Sequence, residues 1–160
     1  MTPHVPVLLN EVIAALAIGD GETHGVGTFG AGGYTRAMLS EGARVFAFDR
    51  GPDPIAGGQQ LAALSGGRLT LVPERFSRMR QALRDHGVEE VSGVTLDIGV
   101  SSMLLHRPER GFSLQSGGPL DMRMSREGQT APDFVNRADE DEIADVIYKY
   151  GEEPQSRRIA

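Results

Sequence analysis

Eight residues near the start of the chain, Gly27-Thr28-Phe29-Gly30-Ala31-Gly32-Gly33-Tyr34, carry four glycines, and Asp49 closes the apolar run Val45-Phe46-Ala47-Phe48. Read together, they predict a strand, a tight turn, a helix and a second strand that ends on a carboxylate. Bare backbone at the turn lets a ligand approach closely, and the first amides of the helix can face an anionic group. A carboxylate at the end of the second strand accepts hydrogen bonds from both ribose hydroxyls and repels a 2′-phosphate. Asp49 stands nineteen residues after Gly30, close to the ~20 expected of a ribose-binding acid. The pattern suits a nucleoside-bearing cofactor.

Alternatives stay open at this level. The turn has no Gly-Lys-Ser/Thr and so is not a triphosphate loop. As a dinucleotide fingerprint it is imperfect, because Thr35 occupies the third glycine position, which weighs against a nicotinamide-dependent oxidoreductase. The anionic group at the helix could be the methionine carboxylate of S-adenosylmethionine. A tight ligand-free bend and a solvated loop acid are the plain structural readings of the glycines and of Asp49. A second acid, Asp97 in Asp97-Ile98-Gly99-Val100-Ser101-Ser102, ends another apolar run and can face a reacting atom; its plain reading, shared with Ser101, is a helix cap. Arg75, Arg78, Arg80 and Arg84 read as the solvated face of a helix. Arg107, Arg110, Arg123 and Arg126 lie in an irregular segment, where arginines suit contacts to an RNA backbone.

The elements that must position these residues follow from periodicity. Apolar residues at 8, 9, 12, 13 and 16 predict an amphipathic helix. Strands are expected at 24–28, 44–48, 69–72 and 93–97. Helices are expected at 34–41, 52–64 and 75–85, the last burying Phe76, Met79 and Leu83. The alternation implies right-handed crossovers, a parallel sheet and an α/β fold, with strand four beside strand one. Asp49 and Asp97 both fall at strand C-termini, the edge where ligands bind in open α/β sheets. Residues 98–130 show no clear periodicity. A helix is expected from Asp139, capped with Glu142, with Ile143, Val146, Ile147 and Tyr150 as its apolar face and Gly151 as its stop. A further helix-like stretch, 155–160, carries no stop signal, and an incomplete chain is the expectation.

At 160 residues with a net charge of −6 the chain has room for one core, or for a core plus a small appendage, and is not generally basic. It has no cysteine, which excludes disulfides, thiolate nucleophiles and zinc sites with Cys ligands. His4, His24, His86 and His106 have no metal-ligand spacing. No apolar run approaches the roughly 20 residues that span a bilayer, and the N-terminus has no signal-like stretch; a soluble cytoplasmic protein with no membrane partner is expected.

Six segments occur in a telling order: His4-Val5-Pro6-Val7-Leu8-Leu9, Gly27 to Gly33, Phe48-Asp49-Arg50, Leu96 to Ser102, Glu109-Arg110-Gly111-Phe112-Ser113, and Gly118-Pro119-Leu120-Asp121-Met122-Arg123-Met124. Together they resemble the bacterial 16S rRNA (cytosine-N4) methyltransferase family, RsmH or MraW, over its N-terminal half. The resemblance implies a Rossmann-like class I methyltransferase fold with an incomplete parallel sheet. Residues 1–102 would be the N-terminal part of an S-adenosylmethionine-binding domain, and residues 103–160 the beginning of an inserted, mainly helical domain on the substrate side. It implies S-adenosylmethionine as cofactor, and as partner and substrate the 16S rRNA of the small ribosomal subunit, methylated on the N4 amine of a decoding-centre cytidine. Carried over by motif, Gly32, Gly33 and Tyr34 would line the methionine end of the cofactor, Asp49 would hold the ribose, Phe76 would pack near the adenine, and Asp97 would sit by the cofactor and the target base as the catalytic candidate.

The chain departs from that pattern at several points. Val26 stands where family members usually carry an acid, which is expected to weaken cofactor binding and to be reversed by Val26→Asp. Gly51 and Leu104 replace a usual Asp and Gln. The resemblance also stops with the chain, which would leave strand four with an unpaired apolar edge open to self-association. The competing expectation is a truncated, catalytically inactive remnant acting at most as a binding module.

Overall fold

The computed structural model describes residues 6–100, 102–125 and 127–160; His4, Ser101 and Arg126 lie outside them. The chain divides into two compact units, Met1–Gly99 and Val100–Ala160.

In the first unit α1 (Leu9–Leu16) leads into β1 (Thr23–Val26), α2 (Gly33–Ser40), β2 (Arg44–Phe48), α3 (Pro52–Leu64), β3 (Leu69–Val72), a 3₁₀ turn (Phe76–Arg78), α4 (Met79–Asp85) and β4 (Gly93–Thr95). The four strands form one sheet in the order β3-β2-β1-β4, parallel throughout. This is the parallel α/β architecture expected from the sequence, and strand four does lie beside strand one.

The sheet is sandwiched because side chains alternate along each strand. On β2, Val45 and Ala47 join Val26, Phe29, Tyr34, Met38 and Leu39 in one core cluster, backed by Val12, Ile13 and Leu16 of α1 and Leu61 of α3. Phe46 and Phe48 point the other way, into a second cluster with Val72, Met79, Leu83 and Val88. A strand buried on both faces reads as a continuous apolar run, which is why β2 was visible whole in the sequence. On β1 the face toward α4 is bare: Met79 Sδ lies 3.0 Å from where a Gly25 Cβ would be.

Two expectations for this unit need correction. The 75–85 segment is a 3₁₀ turn followed by a helix, and Phe76 on the turn is exposed while Met79 and Leu83 are buried. Strands one and four end at Val26 and Thr95; Thr28 and Asp97 lie on the loops that follow them.

The second unit is helical: α5 (Ser102–Leu105), a 3₁₀ turn (Pro108–Arg110), α6 (Ala131–Arg137), α7 (Glu140–Gly151) and α8 (Ser156–Ile159). The capping box expected at Asp139 does not form, since no side chain caps α7. It forms one helix earlier, where Thr130 accepts from the Asp133 amide and Asp133 accepts from the Thr130 amide. On α7, Ala144 is the buried residue and Tyr150 is exposed, so the apolar face is narrower than periodicity implied. No helix among the described residues is long and apolar enough to cross a membrane.

The second core cluster depends on Phe46, which is fully buried and meets the His86 ring at 5.6 Å. Phe46→Ala is expected to lower the unfolding free energy by about 3–5 kcal/mol, read from a shift in the urea midpoint at unchanged m-value.

Candidate functional site

At the C-terminal edge of the sheet, three loops meet. The Gly27 amide donates to the Thr95 carbonyl at 2.8 Å and the Phe29 amide to the Phe48 carbonyl at 2.7 Å, so the glycine turn is tied to β4 on one side and β2 on the other. Asp49 completes the tie. Its Oδ2 accepts from the Gly30 amide at 2.9 Å and its Oδ1 from the Gly51 amide at 2.8 Å. One carboxylate therefore joins the turn before α2 to the turn before α3, and each oxygen keeps a lone pair for a further donor.

The glycines serve different ends. Gly30 (φ +55) and Gly32 (φ +77) adopt the left-handed conformation that side chains resist. The Phe29 ring fills the space beside Gly32 and Gly58, its Cζ 2.8 and 2.7 Å from where their Cβ atoms would sit. The Pro6 ring covers Gly33 in the same way, with Cγ at 2.1 Å. Much of the missing side-chain volume is thus used to pack the chain against itself, while around Gly30 the space is open. Gly32 caps α2 with no side chain, leaving the first amides of that helix without a side-chain acceptor.

Tyr34 is buried and its hydroxyl donates to the Val7 carbonyl. Burial, and then the nearby Asp97 charge, push its pKa up. Asp97 is half-buried; its amide donates to Thr28 Oγ1 at 3.1 Å, which pins it beside the glycine turn. Phe76 and Leu96 lie against Gly27 at the start of the turn, 43% and 49% exposed. Leu96 Cδ2 lies 2.2 Å and Phe76 Cβ 3.1 Å from the place of a Gly27 Cβ. Gly32, Gly33, Tyr34, Asp49, Phe76 and Asp97 are thus all carried by the first unit's loops and helix ends at this edge. Thr28 and Leu96 were missed by sequence reasoning, as their roles come from contacts between residues 27 and 28 and residues 96 and 97.

Val26 lies in the first core cluster, 1% exposed. A carboxylate introduced there would enter a cluster of apolar side chains, so Val26→Asp carries a burial cost that the sequence did not reveal.

A model of the MraW methylase family matches residues 1–160. The chain belongs to that family. Curated relatives named ribosomal RNA small subunit methyltransferase H include those of Rhizorhabdus wittichii, 65% identical over 99% of this chain and 49% of that protein, and Sphingopyxis alaskensis, 62% identical over 98% and 48%. That of Novosphingobium aromaticivorans is 58% identical over 99% of this chain and 49% of its own length. The chain spans about half the length of these relatives.

In this MraW family chain the second unit holds the loop arginines, and Arg110 and Arg123 make contacts within it. Arg123 forms a forked pair with Asp121 (Nη2–Oδ2 2.6 Å, Nε–Oδ1 2.9 Å), and Arg110 donates to the Arg123 and Met124 carbonyls. On the first unit's α4 segment, Arg78 pairs with Glu74 and Arg84 with Glu89, as a solvated face would. There is no cluster of metal-ligating side chains among the described residues.

Two predictions follow from these contacts. In the ligand-free chain, Asp49→Ala should raise amide exchange at both Gly30 and Gly51 by roughly tenfold, whereas Asp49→Asn, which keeps one accepting oxygen, should release only one of them. The Arg123 hydrogen bonds hold the Asp121 pKa down from 3.8 to about 2. The pair's contribution is therefore complete above the unfolded value and lost as pH falls through the folded one. A carboxyl-carbon NMR titration of Asp121 should show a midpoint near 2 that returns toward 3.8 in Arg123→Gln.

Proposed function

We propose that the protein is an S-adenosylmethionine-dependent methyltransferase acting on small-subunit ribosomal RNA, with the N4 amine of a cytidine in 16S rRNA as acceptor. The observation that carries this is Asp49 and Asp97 flanking the uncapped start of α2 in a chain matched throughout by the MraW family.

The residues suit the cofactor. The amides at the start of α2 suit its carboxylate. The free lone pairs of Asp49 suit ribose hydroxyls. The half-exposed Phe76 offers an apolar surface to adenine, with Leu96 beside it. When bound, S-adenosylmethionine supplies an electrophilic methyl group on a sulfonium sulfur. The chain's own work is to orient the acceptor. A cytosine amine is a poor nucleophile because its lone pair is delocalised into the ring. Asp97, steadied by Thr28, would accept a hydrogen bond from the amine, favour the localised lone pair and take up the proton that nitrogen loses when the methyl group passes to it from sulfur, which is left as a neutral thioether. Methylation at carbon five would need a cysteine nucleophile, and the chain has none.

Val26 in the core favours a second reading, a non-catalytic binding module. Calorimetric titration with S-adenosylmethionine separates the two. Saturable heat that is lost in Asp49→Ala supports the enzyme reading, and no heat at millimolar ligand supports the remnant. In the enzyme reading, Asp97→Ala should bind the cofactor within about threefold of the unsubstituted chain, yet transfer tritiated methyl to small-subunit RNA at least ~100-fold more slowly.

A further inference from the structure

We propose that residues Pro6–Leu8 form a strap over the start of α2, and that the Tyr34 hydroxyl is the positioning group that holds it as a wall of the cofactor site. The inference rests on the reading of that helix start as the cofactor's anion site.

The strap touches the site at two places. The Pro6 ring lies on Gly33, occupying the volume any side chain there would need. One residue on, the Val7 carbonyl accepts from Tyr34 Oη, a contact between positions 27 residues apart. At its other end the Leu8 carbonyl accepts from the Val12 amide at 2.9 Å, which ties the segment to α1. The Val7 and Leu8 side chains are 70% and 63% exposed, so their burial does not hold the segment down. Leu8 adopts φ +52, an unfavourable conformation for a side-chain-bearing residue that has to be maintained by neighbouring contacts. Immediately after it, α1 is fastened to the core by Val12, Ile13 and Leu16. The segment joins α1 at Leu8 and, among the described contacts, is held against α2 by the Pro6 ring and the Tyr34 hydroxyl.

Tyr34 suits that role. Its ring belongs to the first core cluster, so the hydroxyl is presented from a fixed base. A tyrosine hydroxyl keeps its proton through neutral pH, and burial and then the neighbouring Asp97 charge push its pKa further up. A ligand bound at the first amides of α2 lies next to Gly33, the residue that Pro6 covers. Its release is therefore coupled to opening of the strap.

Tyr34→Phe tests this, because it keeps the ring and removes only the hydroxyl; Pro6→Gly loosens the same strap from its other contact without touching the core. Two quantities are read for each variant and for the unsubstituted chain: backbone ¹⁵N order parameters of Val7 and Leu8 without ligand, and the dissociation rate of S-adenosylmethionine. The expected result is order parameters falling from about 0.85 to below about 0.6, and dissociation roughly fivefold faster in each variant, with the melting temperature of the sheet nearly unchanged. Unchanged dissociation in Tyr34→Phe overturns the strap, whatever the order parameters do. Faster dissociation with unchanged order parameters also overturns it, since the hydroxyl would then act on the ligand directly. If the unsubstituted chain binds no S-adenosylmethionine, the cofactor reading itself fails, and the strap's role with it.

Discussion

The geometry of the candidate site depends on one carboxylate. Asp49 accepts from the amides of Gly30 and Gly51, which belong to the loops preceding α2 and α3. Both loops leave the same edge of a parallel sheet, where strand ends otherwise diverge. Without an anion between them, two backbone donors would face each other across that gap. Ionised acceptors make the stronger hydrogen bonds, and here one group satisfies two donors at once. The ribose-binding role proposed for Asp49 and its structural role are therefore compatible: the amides fix the carboxylate in orientation and leave lone pairs directed elsewhere.

The same economy runs through the glycine turn. Its positive-φ positions create the bend, but the space freed beside Gly32 and Gly33 is taken by Phe29 and Pro6. Phe29 thereby links the turn to α3 through Gly58, and Pro6 links it to the chain's first helix. A ligand at this turn would meet amides whose positions are set by the core below and by the strap above. Thr28 extends the arrangement to β4, bringing Asp97 to the same edge by a hydrogen bond between residues 69 positions apart.

In the second unit an ion pair takes the part that periodicity plays elsewhere. Asp121 and Arg123 form a forked contact, Arg110 braces the carbonyls of Arg123 and Met124, and the Met122 amide donates to the Arg110 carbonyl. Gly111 permits this crossing, since a Cβ there would lie 2.3 Å from the Pro119 carbonyl oxygen. Arginines that read as candidates for an RNA backbone are, at 110 and 123, occupied in shaping their own loop. The capping box at Thr130 and Asp133 was equally present in the sequence, but α6 has only seven residues, too few for a periodic pattern to stand out beside it.

The sequence by itself determined the parallel α/β order, the extents of β2, α3 and β3, and the placement of Asp49 at the end of β2. These follow from short-range patterns: a strand buried on both faces is apolar throughout, and glycine and proline punctuate the turns. Family membership was legible too, because its motifs are contiguous words. What only the tertiary structure decided is how those words touch. That Val26 lies in the core, that Phe76 is exposed, that Tyr34 spends its hydroxyl on Val7, and that Thr28 steadies Asp97 all depend on contacts between residues far apart in the chain. Such contacts are set by strand order and side-chain packing, and no local spacing encodes them.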